Sequence, residues 1–231
     1  MKKILLLLMI FVSASIIKAQ NVQLHYDLGK DHKFPWTHVE MFKPDKWGSS
    51  FFFIDMNYGE GNVHGVSMAY WEISRALKFW KSPFALHVEY NGGFGQFTTS
   101  TPLNGAYQIN NAWLLGGEYT WNTKDFSKVF TLQAMFKTIQ DKNSSSFQIT
   151  GVWAIQMLKN KVTFSGFADF WREDNFVGTS DMTKYVFLTK PQLWYNCTEH
   201  LSLGTEEDIS ANFSGHKGFM LNPMLSAKWT F

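Results

Sequence analysis

The sequence predicts an all-β fold, a transmembrane antiparallel β-barrel of about twelve strands. Three observations predict it. Apolar and polar residues alternate with period two along most of the chain, in stretches longer than the five or six residues of an ordinary strand. Aromatic residues (22 Phe, 10 Trp and 8 Tyr) make up 17% of the chain, and charged residues also only 17%, against roughly 25% in soluble domains. The connections between the alternating stretches are themselves alternately compact and extended.

Along the chain, residues 1–19, "MKKILLLLMIFVSASIIKA", come first, with a basic start, an apolar run from Ile4 to Val12 and small residues approaching Ala19. This is the pattern of a secretory signal peptide, and it leaves 20–231 as one barrel domain. Its removal takes Lys2, Lys3 and Lys18 and no acid, so 18 basic residues then stand against 19 acidic ones, a net charge of −1. Such a balance argues against nucleic acid as a partner. Cys197 is the single cysteine, so no internal disulfide supports the chain. After Ala19 no apolar run approaches the roughly 18 residues of a spanning helix, and a membrane would be crossed by strands.

The alternating segments fall at roughly 21–29, 34–43, 48–59, 63–79, 82–96, 106–122, 126–140, 145–158, 161–173, 183–197, 199–213 and 218–231. In "FALHVEYNGGF" one face carries Phe84, Leu86, Val88, Tyr90 and Phe94, and the other Ala85, His87, Glu89 and Asn91. The last segment sets Phe219, Leu221, Leu225, Trp229 and Phe231 against Asn222, Ser226, Lys228 and Thr230. After even-numbered segments the connections are compact: "KPDKW", "WKSP", "NTKD", "LKNK" and "CTEH". After odd-numbered ones they are more often long and polar, including "GQFTTSTPLNG", "QDKNSSS" and "REDNFVGTSDMTK". Short turns at one end and long loops at the other are the habit of outer-membrane barrels. In lipid every backbone N–H and C=O must be paired within the sheet, which requires closure; the last strand is expected to pair with the first, near residues 21–29. The same alternation could build a secreted sandwich or lipocalin-like barrel with its apolar face turned inward. Long strands, few charges and Trp113, Tyr119, Trp121 and Trp229 near segment ends favour an aromatic girdle in lipid instead.

The ending, with Phe231 terminal and Trp229 two positions before it, resembles the C-terminal strand signature of outer-membrane β-barrels that their assembly machinery reads. The segment "HGVSMAYWEISRALKF", with Tyr70, Glu72, Ser74 and Arg75, resembles an early strand of the Tsx-type nucleoside-specific channel family and its uncharacterised relatives. The resemblance implies a narrow passive channel and makes nucleosides the leading solute; no nucleoside-contacting residue carries over from it.

With apolar faces outward, the opposite faces line a lumen. The solute-binding candidates there are Phe51, Phe53, Asp55, Tyr70, Glu72, His87, Glu89, Glu118, Asp169, Trp171, Glu206 and Asp208, among further inward positions such as Gln108 and Asn110. Acids outnumber lysines, which favours cations or neutral polar solutes, and the aromatic rings offer stacking faces for a planar one. Any one acid, equally, could serve only to pair a base. Strict alternation puts Glu72 and Arg75 on opposite faces, so either a bulge shifts the phase or Arg75 reaches the membrane boundary. The seven His are scattered without ligand spacing, and neither a metal site nor a cofactor is expected. No G-x-S-x-G occurs, and catalysis is not expected. A channel for small polar solutes in the outer membrane is the leading expectation, with outer-membrane lipids and assembly machinery as partners. The alternatives are a barrel enzyme acting on lipids, and a closed barrel that is structural or belongs to a larger complex.

Overall fold

The computed structural model of the chain describes residues 20–30, 33–100, 103–142 and 145–231; the expected signal peptide lies outside them. Thirteen strands are present among these residues: β1 (Gln20–Asp27), β2 (Pro35–Asp45), β3 (Gly48–Tyr58), β4 (Val66–Leu77), β5 (Phe84–Phe97), β6 (Gly105–Asn122), β7 (Lys128–Ile139), β8 (Ser146–Met157), β9 (Val162–Val177), β10 (Asp181–Thr189), β11 (Gln192–Asn196), β12 (Leu201–Ala211) and β13 (Phe219–Thr230). Each pairs antiparallel with its neighbours, and β13 returns to β1, so the sheet is closed. Both β10 and β11 pair with β9 on one side and β12 on the other. They are two halves of one stave, and the barrel has the twelve staves that the alternation predicts.

Closure takes the expected form, with Asn21 opposite Thr230 and Asp27 opposite Met224. Burial follows period two, inverted relative to a water-soluble strand. In β5, Phe84, Leu86 and Phe94 are exposed while Ala85, His87, Glu89 and Asn91 are buried. In β13, Leu221, Leu225 and Trp229 are exposed while Asn222, Met224 and Ser226 are buried. The wall is therefore apolar outside and polar inside, the arrangement that suits a hydrocarbon surround. Trp113, Tyr119 and Trp121 stand outward as well.

The turns at one end are short, spanning 46–47, 78–83, 123–127, 158–161 and 197–200, and Gln20 and Thr230 lie at that end with them. At the other end the stretch 172–184 departs from the expected long loop. Strand β9 runs on to Val177 and β10 begins at Asp181, so a hairpin with a three-residue tip stands there, its polar residues paired across the ladder.

The register shifts between β3 and β4, between β9 and β10 and between β5 and β6, and two irregularities bear on the lumen. Between β5 and β6 the register passes from Asn91 opposite Ala112 to Gly93 opposite Ile109, which places one extra residue in β6. This bulge turns Gln108 to the outer face, opposite Phe94, and corrects the inward position expected for it; Tyr107 and Ile109 take the inner positions. The second irregularity is Lys190 and Pro191 between β10 and β11. Proline has no N–H for the ladder, but Lys190 N–H donates to the Phe167 carbonyl and Glu207 N–H to that of Pro191, so the flanking strands hold the break in register. Gly166 sits opposite with φ 150°, and a Cβ there would meet the Lys190 carbonyl. The Glu72 and Arg75 question resolves without a bulge. Glu72 faces inward, while Arg75 stands outside at the short-turn end and clamps Asp45 with two hydrogen bonds of 2.7 and 2.9 Å.

Candidate functional site: the barrel lumen

Inward positions of β11–β13 and β1–β3 form one wall of the lumen. Trp194 (0% exposed), His25 (0%), Gln23 (2%) and Glu206 (1%) are fully enclosed there. His25 stacks on Trp36 with ring centroids 4.1 Å apart and hydrogen-bonds Ser226, 2.8 Å away on β13. Trp36 donates its indole N–H to the Met224 sulfur. Lys190, carried inward at the β10–β11 break, lies 4.5 Å over the Trp36 ring and faces Glu206 (3.8 Å) and Asp208 (3.9 Å). Gln192 donates to Glu206 and to Gln23, linking β11 to β1 across β12 and β13. Lys228 lies 4.2 Å over Trp194. Further round, His38 is held between Asp55 (2.6 Å) and Glu40 (3.1 Å), with Phe53 stacked on it. Acids on this wall have basic neighbours.

The wall built by β4–β9 pairs Glu89, Glu118 and Glu173 with basic groups, as the first wall does, but forms no ion pair at Glu72 or Asp169 among the described residues. His87 is held between Glu118 (2.8 Å) and Glu89 (3.0 Å). Tyr70 donates to Glu72 (2.6 Å), and Thr150 to Asp169 (2.6 Å). Lys137, the buried ammonium of this wall, donates to Gln148 (2.7 Å) and lies 4.8 Å over Trp171, whose indole N–H is taken by Glu173. Glu89 Oε1 and Asn91 Oδ1 of this wall are buried without a hydrogen-bond partner among the described residues, as are Ser67 Oγ, Trp153 Nε1 and, on the first wall, Glu206 Oε1. Such atoms cost about 1–3 kcal/mol each if they stay unsatisfied.

At the short-turn end the interior widens. A cavity of about 580 Å³ is lined by Phe42, Ala85, Glu118 and Thr120, and a second of about 360 Å³ by Gln156, Asn196, Ser202 and Lys228. Between these and the other mouth, inward side chains such as His25, His87, Asn91, Trp194 and Glu206 are buried.

All twelve residues singled out from sequence lie on the inner wall. The fold gathers Phe53, Asp55, Glu206 and Asp208 on the first wall. It gathers Tyr70, Glu72, His87, Glu89, Glu118, Asp169 and Trp171 on the second. Phe51 sits beside Phe53 and opposite Phe42, at the edge of the larger cavity. Sequence reading missed Trp36, Trp194 and Gln23, the residues that fill the first wall. Parity carried the signal, since Trp36 shares its face with His38 and Trp194 with Gln192, but tryptophans in such strands read first as girdle residues. Among the described residues no three of His, Cys, Asp or Glu converge to hold a metal ion.

A closed antiparallel barrel with a polar lumen and an apolar outer belt is the architecture of porin-type proteins. The chain belongs to the family described as "Domain of unknown function (DUF5020)", which matches residues 19–231. No curated protein matches the sequence. Among solved structures, the chain is similar to the NanC porin at 12% identity and TM-score 0.59, covering 92% of this chain and 100% of that one. It is also similar to the KdgM porin in complex with disordered oligogalacturonate, at 9% identity and TM-score 0.51, covering 92% and 99%. At these identities the likeness is one of fold. It supports the barrel class expected from sequence and does not extend to nucleoside specificity.

Proposed function

We propose that the protein is an outer-membrane channel for passive diffusion of small polar solutes, favouring cationic or neutral ones. One observation carries the reading: the inner wall is polar and charged along its length while the outer wall is apolar, and inside it carboxylates outnumber ammonium groups. The acid excess separates this lumen from one suited to an acidic saccharide such as the oligogalacturonate named with the KdgM porin. Nucleosides are the leading solute on the sequence resemblance. Phe51, Phe53, Tyr70 and Trp171 supply ring faces beside carboxylates and amides that suit a base and its sugar. The membrane partners are outer-membrane lipids around the apolar belt and, through the C-terminal strand, the assembly machinery.

The purified barrel in planar bilayers under a salt gradient is expected to conduct with a cation-favouring reversal potential, reduced in Glu118→Gln. Nucleosides added to one side are expected to block the current. Silent bilayers would defeat the channel reading. They would favour instead a closed barrel, a second reading that the enclosed Trp194, His25 and Glu206 support.

A further inference from the structure

We propose that Glu72, Glu89, Asn91 and Asp169 form a binding site in the middle of the lumen for an organic cation, an ammonium or guanidinium group on a small solute. The inference rests on the channel reading only for how the ligand arrives. Asn91 stands opposite Glu72 across β4 and β5, and Glu89 is its neighbour on the same face of β5. Asp169 comes from β9 on the far side, and Glu72, Glu89 and Asp169 lie close enough to interact electrostatically. What these groups offer is mostly acceptors. Glu72 spends one oxygen on Tyr70, Asp169 one on Thr150, and Glu89 one on His87, which leaves Glu89 Oε1 for a ligand.

The observation that points to a ligand is independent of the acid count. Asn91 is 4% exposed and Glu89 6%, and each keeps one enclosed oxygen without a donor among the described residues. Buried acceptors in native proteins are nearly all matched by protein, ordered water or a ligand, and the N–H groups of a bound solute would satisfy these two. Lys137 indicates which kind. Its ammonium lies within electrostatic reach of Glu72, Glu89 and Asp169 but donates its hydrogen bond to Gln148 and rests on Trp171, so neither orphan oxygen receives a hydrogen bond from it. The same wall thus already accommodates one cation against an aromatic face. A bare metal ion fits poorly, because the described His, Cys, Asp and Glu side chains nowhere converge as ligands. A group with several N–H donors spans such spread acceptors, and guanidinium does so with five.

The test uses the whole barrel in detergent micelles, titrated calorimetrically with methylguanidinium chloride and methylammonium chloride, with potassium chloride and sodium acetate as controls at equal ionic strength. Saturable binding of at least one organic cation is expected, weaker by roughly tenfold or more in Glu89→Gln and in Asn91→Leu, as loss of a charged hydrogen bond predicts. Heat-modifiable gel mobility identifies variants that fold. Glu89→Gln nearly preserves shape, so it keeps the test valid if Asn91→Leu does not close. No saturable binding in the wild type, or equal binding in folded variants, overturns the site and leaves the carboxylates sharing protons. Bilayer recordings separate the two proposals. Binding with silent bilayers keeps the site and removes the channel, whereas conductance without binding does the reverse.

Discussion

The two lumenal walls are made by one alternation in one sheet, yet they manage charge differently. On the wall of β11–β13 and β1–β3, Glu206 and Asp208 face Lys190, Asp55 and Glu40 hold His38, and two tryptophans take the ammonium groups on their faces. On the wall of β4–β9 the buried lysine spends its hydrogen bond on Gln148, and Glu89 and Asn91 keep unmatched oxygens; Glu206 on the first wall also keeps one oxygen without a hydrogen bond, but Lys190 stands 3.8 Å from it. Buried charge is tolerated when its partners are placed, and a half-satisfied network costs free energy that some other role has to justify. The matched wall reads as a packed support and the unmatched wall as the working surface.

Four substitutions break or sharpen that contrast. The largest effect is expected from Trp194→Ala. Removing a fully enclosed indole from the matched wall costs about 3–5 kcal/mol, measured by reversible urea unfolding in lipid or detergent. It also opens the lumen, so conductance should rise. A cost under about 1 kcal/mol would deny that wall its supporting role. Next comes Lys190→Met, which leaves Glu206 and Asp208 facing each other without their cation. A loss of about 3 kcal/mol is expected in the same measurement, together with stronger cation preference in the reversal potential. Glu72→Gln on this wall of β4–β9 should move stability by less than about 1 kcal/mol or raise it, since Glu72 forms no ion pair and sits close to the like charges of Glu89 and Asp169. Its main effect should be weaker cation selectivity; a large stability loss would show that this wall is structural as well. The smallest effect belongs to Arg75→Ala. This exposed clamp on Asp45 stands outside the barrel, so selectivity and block should be unchanged, and only insertion or anchoring at the short-turn end should respond.

Much of this was legible in the sequence, because period two fixes which side chains share a face and the parity of the connections fixes which ends meet. The twelve staves, the β1–β13 seam and the inward set from Phe51 to Asp208 follow from that rule alone. Failures occur where the rule is locally broken. Gln108 leaves the face that alternation predicts because one extra residue in β6 resets the phase before Ala112, and nothing in "QINNAW" marks a bulge. Stretch 172–184 reads as loop from its Asp, Gly and Ser, yet cross-strand pairing carries most of it into β9 and β10. The pairings inside the lumen were beyond reach for another reason. Whether Lys190 meets Glu206 or Asp169 depends on the curvature and stagger of the closed sheet, which side-chain alternation does not encode.

The β1–β13 seam has a consequence for how the molecule forms. His25 and Ser226, hydrogen-bonded across it, are 201 residues apart along the chain. Contacts so distant carry the largest loop-closure entropy and form late. Until they do, β1 and β13 are two open edges with apolar outer faces, able to pair with other chains. Assembly is then a race between ring closure and aggregation, and a helper that holds the final strand would act at the step where the barrel is most exposed.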